Sequence, residues 1–229
     1  METLFNGYTL DIPAGCFPLS TDSMVLADFV KLPRKASVLD LGSGCGTLGL
    51  LLCARDPGCT VTGVEIDTQA HQAAQENISR NALSTRMKSI CADLRTIPES
   101  LPLNGFDCCI SNPPYFCGGF SSQSAPVARQ ETCCSLEQVF AAAAWSLKYG
   151  GDFFLIHKPE RLAELCKYAC AHALEPKRLK LVRHHPGGDV ILVLLACRKG
   201  GKPGLRWEEL CLFDEANQPT QDYRTLYHL

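Results

Sequence analysis

The chain is predicted to form a doubly wound α/β fold, mostly parallel, with one antiparallel hairpin near its C-terminus. Three observations carry that expectation. Short apolar runs alternate with stretches of helical period. A glycine-rich turn leads from the first of these runs into a helix. Two apolar runs after Pro176 are separated by too few residues for a helical crossover, so they must pair antiparallel. With 46% hydrophobic and 20% charged residues over 229 positions, the composition supports one buried core and excludes disordered, collagen-like and coiled-coil chains.

Strands are expected at residues 36–41, 61–66, 87–91, 106–111 and 152–157, with helices near 47–55, 69–81, 136–148 and 160–174. In the helix at 136–148, Ser135 and Gln138 have capping-box spacing, and Leu136, Val139, Phe140, Ala143 and Leu147 share one face. Gly150-Gly151 is expected to end it. Pro159 is expected to open the next helix and Pro176 to stop it. Residues 179–183 and 190–198 then form the hairpin about His184-His185-Pro186-Gly187-Gly188, completing a seven-stranded sheet. Residues 1–35 are expected to be an N-terminal extension packed on the core, and residues 36–229 the main domain. The extension holds an extended piece at 8–12 and a helix from Thr21-Asp22 that turns Val25, Leu26, Phe29 and Val30 inward.

No basic, apolar leader opens the sequence, and its longest apolar run, Val190 to Cys197, is too short to span a bilayer. A soluble, cytoplasmic protein with no membrane partner is expected, with a monomer as the working oligomeric state. The fourteen cysteines lack paired Cys-x-x-Cys spacing. Cys108-Cys109, Cys133-Cys134 and the i, i+4 pair Cys166 and Cys170 read as small buried hydrophobes in a reducing compartment. No metal site is expected.

The net charge of −2 conceals an asymmetry. Between Lys177 and Arg206 eight cations face the single acid Asp189, so the remainder of the chain is acidic. Lys177, Arg178, Lys180, Arg183, Lys199 and Lys202 are candidate contacts for a polyanion. The same residues read equally as solvated strand edges, where lysine discourages aggregation.

Two motifs carry chemistry. The first is Val38-Leu39-Asp40-Leu41-Gly42-Ser43-Gly44-Cys45-Gly46-Thr47, running from strand to helix. Its glycines tolerate left-handed torsions and let backbone amides approach a ligand. Glu65 closes the next strand, where doubly wound folds place a ribose-binding acid. An adenosine-containing ligand is therefore expected across the carboxyl ends of the strands. A dinucleotide fingerprint would need a third glycine at position 47, which holds Thr47.

The second motif, Asn112-Pro113-Pro114-Tyr115, follows the fourth strand on the same edge. The prolines stiffen the turn and keep Asn112 out of helical torsions. Asn112 and the carbonyl of Pro113 offer acceptors, and Tyr115 offers a flat face for stacking. That set suits an amino nitrogen whose lone pair is delocalised into a ring or acyl group. Acceptors on both N–H bonds favour a pyramidal nitrogen, so catalysis would be positioning and preorganisation without metal or covalent intermediate.

With both motifs in view, the spacing Asp40-x-Gly42-x-Gly44-x-Gly46 resembles the first motif of class I S-adenosylmethionine-dependent methyltransferases, whose fold is Rossmann-like. The whole chain is similar to the tRNA(Val) adenine-N6 methyltransferase family. The similarity includes Thr21-Asp22-Ser23-Met24-Val25-Leu26-Ala27-Asp28-Phe29, the loop Ala128-Arg129-Gln130-Glu131, and the tail from Gly200-Gly201-Lys202-Pro203-Gly204 to Tyr227. The resemblance implies S-adenosyl-L-methionine as cofactor and RNA, a tRNA methylated beside its anticodon, as partner. It implies that Gly42, Gly44 and Gly46 face the methionine part, that Glu65 binds the ribose and that Asp93 holds the adenine amino group. Asp40, Leu94 and Asn112 complete the cofactor set, and Asn112, Pro113, Pro114 and Tyr115 are the catalytic set. Gln130 stands where relatives usually carry His, which leaves that position without an assigned role. Residues 115–132, Gly- and Ser-rich, read as a substrate lid.

Three other readings share parts of this pattern. Glutamine-N5 methyltransferases acting on protein use the same tetrad but carry a helical domain ahead of the cofactor motif, where only 35 residues precede Ala36 here. Ribosomal-RNA guanine-N2 methyltransferases share the Asn-Pro-Pro core. A non-catalytic cofactor-binding module would have no need of the intact tetrad.

Overall fold

The computed structural model describes residues 1–4, 6–115 and 134–227. A two-stranded ribbon of β1 (Glu2–Thr3) and β2 (Thr9–Leu10) precedes α1 (Thr21–Phe29). The main sheet is entered at β3 (Ser37–Leu41), followed by α2 (Thr47–Arg55), β4 (Thr60–Glu65), α3 (Thr68–Arg80) and β5 (Met87–Cys91). The short α4 (Ile97–Ser100) leads to β6 (Phe106–Ser111), α5 (Leu136–Ser146), β7 (Leu147–His157) and α6 (Leu162–Ala171). The chain closes with β8 (Leu174–Arg183), β9 (Val190–Lys199), β10 (Arg206–Cys211) and α7 (Gln221–Tyr227).

The strand order is β10-β8-β9-β7-β6-β3-β4-β5. Strands β3 to β7 run parallel, β9 is antiparallel to both β7 and β8, and β10 is parallel to β8. From β3 the chain winds out through β4 and β5, then returns past β3 to β6 and β7. The direction of winding therefore reverses between β3 and β6. Ligands of open α/β sheets bind in the crevice at such a reversal, outside the carboxyl ends of the strands.

Burial on both sheet faces explains the continuous apolar strands. Val38, Cys108 and Phe154 pack with α1 and α2 on one face, while Leu39, Cys109 and Phe153 pack with α5 and α6 on the other. The Cys108-Cys109 doublet is thus split across the sheet, each thiol buried and its ionisation pushed upward by burial. Among the described residues no group of three or more His, Cys, Asp or Glu could hold a metal. No described helix is long and apolar enough to cross a membrane.

The expected elements differ from the structure in four places. The main sheet has eight strands, not seven. The extra one, β10, is an edge strand whose first four residues are exposed, so the apolar alternation that signals a strand is absent from it. Helix α5 keeps its Ser135–Gln138 capping box but ends at Ser146, so Gly150-Gly151 does not terminate it. Those glycines lie inside β7, in an irregular stretch where Phe106 pairs with Leu147 and Cys108 with Asp152. A Cβ at Gly151 would come within 2.9 Å of Asp107 O, so the glycine permits close strand approach. Pro176 lies within β8 beside a register shift and stops no helix. The helix expected at 160–174 is a 3₁₀ turn, Pro159–Arg161, followed by the shorter α6.

Residues ahead of Ala36 are fastened by two amides at the C-terminal end of α3, Asn77 within the helix and Asn81 capping it. Asn81 accepts from Thr9 N at 2.8 Å and donates to Thr9 O at 2.7 Å. One turn earlier Asn77 accepts from Asp11 N and donates to Asp11 O, at 2.8 and 2.9 Å. At i, i+4 the two side chains imitate the edge of a neighbouring strand. Asn77 also donates to Cys45 O at 3.0 Å, which ties the extension to the glycine-rich turn.

Candidate active site

The glycine-rich turn is built by β3 and braced by β4. Gly42 N and Ser43 N both donate to Val64 O, at 2.9 and 3.0 Å, and Gly44 N donates to Glu65 Oε2 at 2.8 Å. Gly42 and Gly44 have φ of +74° and +53°, and a Cβ on either would meet nothing within 4 Å. Left-handed torsion and open space beside the backbone are what a ligand-approaching turn requires. Gly46 is different: at φ +85° its Cβ would lie 2.9 Å from Met87 Cε and 3.5 Å from Ala74 Cβ. It is needed for packing of the turn against β5 and α3.

Asp40 lies on β3 beneath this turn. It is fully buried, and neither carboxyl oxygen has a hydrogen-bond partner among the described residues. Burial first, then the charge of Glu65, pushes its ionisation up to about 8. Glu65 ends β4 with both oxygens already accepting, Oε2 from Gly44 N and Oε1 from Asp67 N at 2.8 Å. Each carboxylate oxygen keeps a second acceptor site. Asp93 lies two residues beyond β5 and is engaged by Arg95. Oδ1 accepts from Arg95 N at 2.8 Å, Oδ2 from the guanidinium at 2.7 and 2.5 Å, and that contact lowers the Asp93 ionisation. Leu94 begins the following 3₁₀ turn, half-buried against the α5 side of the core. Ile66, directly after Glu65, keeps a large apolar side chain 39% exposed.

The tetrad begins level with the turn. Asp40 pairs with Ile110, and Ser111 Oγ donates to Leu41 O at 2.8 Å, so Asn112 leaves β6 abreast of Gly42 leaving β3. Pro113 is buried, Pro114 exposed, and Asn112 and Tyr115 intermediate. The Tyr115 hydroxyl donates to Asp22 Oδ2 on α1 and lies 3.4 Å from Asn112 Oδ1. Burial, then the Asp22 contact, holds its phenol far above its ordinary ionisation. The rings of His157 and Tyr115 pack edge-on with centroids 5.1 Å apart, and Lys158 Nζ lies 5.2 Å from the Tyr115 centroid. His157 is lowered to about 4 by burial and then by Arg161, and its Nδ1 accepts from Lys158 N at 2.8 Å. It is therefore neutral, with its proton on Nε2.

Asp22, His157 and Lys158 were not anticipated as site residues. Nothing local marks them, since Asp22 meets Tyr115 across 93 positions of sequence. The loop containing Gln130, and the lid expected at residues 115–132 apart from Tyr115, lie outside the described residues.

The basic stretch is distributed differently from a single patch. Lys177, Lys199 and Lys202 fall at the end of the sheet opposite the tetrad, whereas Arg183 pairs with Val190 at the tetrad's end. The cations are also engaged within the chain. Lys199 Nζ donates to Asn104 Oδ1 at 2.8 Å, Ala144 O at 2.5 Å and Leu147 O at 2.8 Å. Lys177 donates to Lys202 O, Arg178 to Glu208 and Phe29 O, and Arg183 to Gly188 O. Lys180 lies 3.6 Å from Asp28 with only 12% of its side chain exposed.

A glycine turn and an Asn-Pro-Pro-Tyr tetrad flanking the reversal point of this sheet define a class I methyltransferase. The family model for the methyltransferase small domain matches residues 18–165, and the chain belongs to that family. Among curated proteins, the tRNA1(Val) (adenine(37)-N6)-methyltransferase of Porphyromonas gingivalis (strain ATCC BAA-308 / W83) is 33% identical over 193 residues, 80% of this chain and 74% of that one. The protein of the same name from Bacteroides fragilis (strain YCH46) is 29% identical over 171 residues, 74% and 72% of the two chains. Among solved structures, one described as a predicted O-methyltransferase from Agrobacterium tumefaciens superposes with a TM-score of 0.77 at 24% identity, covering 91% of this chain and 96% of that one. Geranyl diphosphate C-methyltransferase from Streptomyces coelicolor A3(2), solved with S-adenosyl-L-homocysteine, gives 0.60 at 13% identity over 77% and 79%. These two structures speak to the fold.

Proposed function

We propose that the protein transfers the methyl group of S-adenosylmethionine to an exocyclic adenine N6 amine in RNA, a tRNA at the purine beside the anticodon. The observation that carries this reading is the departure of Asn112 from β6 abreast of Gly42, across the crevice where the winding reverses. The names of the curated relatives point to the same substrate.

The site fits that cofactor. Asp40 is a buried carboxyl without a partner among the described residues, and the cofactor's ammonium group would supply the missing donor. Glu65 keeps acceptor sites for ribose hydroxyls, the open faces of Gly42 and Gly44 admit the methionine part, and Ile66 offers apolar surface to the adenine. Bound there, the cofactor supplies an electrophilic methyl on a sulfonium. Asn112 Oδ1 and the Pro113 carbonyl accept hydrogen bonds from the two N–H groups of the target amine, turning its lone pair toward that methyl. As the C–N bond forms the C–S bond breaks, and the nitrogen then loses one of those protons to water. Pro113 and Pro114 keep the turn rigid, Tyr115 stacks on the base, and Lys158 above the same ring meets the phosphate side of the nucleotide. An anticodon-loop purine is already partly unstacked, so turning it into the site costs a few kcal/mol.

The test is incubation with unmodified tRNA and rRNA pools and labelled cofactor, with the product nucleoside mapped by mass spectrometry. N6-methyladenosine in tRNA upholds the proposal. A methylated guanine, methylated protein glutamine or no transfer overturns it.

A further inference from the structure

We propose that Asp22 is a positioning residue for methyl transfer: it accepts the one hydrogen bond that the Tyr115 hydroxyl can donate and so leaves Asn112 Oδ1 free to accept from the target amine. The inference rests on the reading of Asn112 given above and adds a residue outside the tetrad.

The Tyr115 hydroxyl has one proton and two acceptors in reach, Asp22 Oδ2 and, at 3.4 Å, Asn112 Oδ1. Hydrogen bonds to a carboxylate are roughly twice as strong as those to a neutral amide. The hydroxyl therefore donates to Asp22. Were it to turn to Asn112 Oδ1, it would occupy the oxygen that the substrate needs and would rotate the carboxamide toward the phenol.

Asp22 is held for this task at both ends of α1. Next to it, Thr21 Oγ1 accepts from Tyr227 at 2.9 Å. At the far end, Arg178 donates to Phe29 O at 3.2 Å and sits 4.3 Å from the Phe29 ring centroid, while Lys180 reaches Asp28. The Tyr115 ring packs edge-on with His157. With the ring packed and the helix that carries Asp22 anchored at both ends, the hydroxyl has little freedom except the direction of its proton. The phenol stays protonated, because burial and the carboxylate both oppose its ionisation.

The experiment compares steady-state tRNA methylation by wild type, Asp22→Asn, Asp22→Ala and the double variant Asp22→Ala/Tyr115→Phe. Asp22→Ala should lower kcat roughly tenfold, less than the ~10²–10³ typical of deleting a preorganised group outright. The apparent KM for cofactor should not move. Asp22→Asn retains an acceptor and should retain most of kcat. The double variant keeps the ring but has no competing proton, so it should be faster than Asp22→Ala alone. A structural role for Asp22 predicts no such rescue. Wild-type kcat in Asp22→Ala, or a double variant no faster than the single, overturns the proposal. A second readout is independent of substrate: in protein labelled with 3-fluorotyrosine, the position-115 fluorine resonance at neutral pH should move in Asp22→Ala, where the hydroxyl loses its carboxylate acceptor. An unchanged resonance overturns the contact. Wild-type protein inactive on RNA would overturn the functional reading, and this resonance would still report whether the hydroxyl donates to Asp22.

Discussion

Asp40 and Glu65, on neighbouring parallel strands, are carboxyl groups with opposite surroundings. Glu65 accepts backbone N–H bonds at both oxygens, whereas Asp40 is buried in the core with neither oxygen partnered among the described residues. The charge of Glu65 adds to burial in lifting Asp40 to about 8. At neutral pH Asp40 therefore holds its proton. A cation arriving between the turn and Asp40 reverses that state.

Cofactor binding should accordingly release a proton. Titrating S-adenosylhomocysteine calorimetrically at pH 7, in buffers of different ionisation enthalpy, should show a fraction of one proton released per site. Asp40→Asn should abolish the release and weaken binding. A buffer-independent heat in the wild type would place the ammonium elsewhere.

The same group makes a stability prediction. Its folded value of about 8 lies above the ordinary 3.8, so between those values the folded chain binds more protons than the unfolded one. Stability is lost as pH rises through that window. Asp40→Asn, neutral throughout, should raise Tm more at pH 8 than at pH 5, although it impairs binding. An equal change at both values would contradict the assignment.

Glu65→Ala should weaken S-adenosylhomocysteine binding by roughly 2–4 kcal/mol, the loss of two charge-assisted hydrogen bonds. It should slow turnover at saturating cofactor far less. Because Gly44 N also loses its acceptor, amide exchange at Gly44 should quicken even without ligand. Unchanged calorimetric affinity would remove Glu65 from the site.

Lys199→Met should behave as a stability mutation. Its ammonium satisfies Ala144 O and Leu147 O at the C-terminal end of α5, and orphaning such acceptors costs about 1–3 kcal/mol. Denaturant unfolding should show that loss. The salt dependence of tRNA binding should keep its slope, whereas each phosphate contact removed would lower it by about one. A flattened slope would return Lys199 to an RNA-binding surface.

The two motifs were legible in the sequence because each is local. The glycine turn announces itself through torsion demands at Gly42 and Gly44, and the tetrad through its consecutive prolines. Strands β3, β6 and the second half of β7 were legible because burial on both faces makes them nearly continuously apolar. What escaped was whatever depends on distant partners or lacks burial. Edge strand β10 shows solvent Arg206, Trp207, Glu208 and Glu209. The passage from α5 into β7 has no breaker at Ser146, and its glycines serve the strand instead. Asp22 acquires its partner only through the packing of α1. The cations of β8 and β9 read as one patch in the linear sequence, but the hairpin carries them to opposite ends of the sheet.

The central claim is that Asn112 orients the target amine beside the cofactor. Single-turnover methylation of unmodified tRNA by Asn112→Ala at saturating S-adenosylmethionine tests it most directly, with calorimetric S-adenosylhomocysteine binding as the control for an intact cofactor site. The account predicts a rate ~10²–10³ below wild type, as for loss of one preorganised hydrogen-bonding group, with cofactor affinity nearly unchanged. An Asn112→Ala protein that methylates its RNA at the wild-type rate would contradict it.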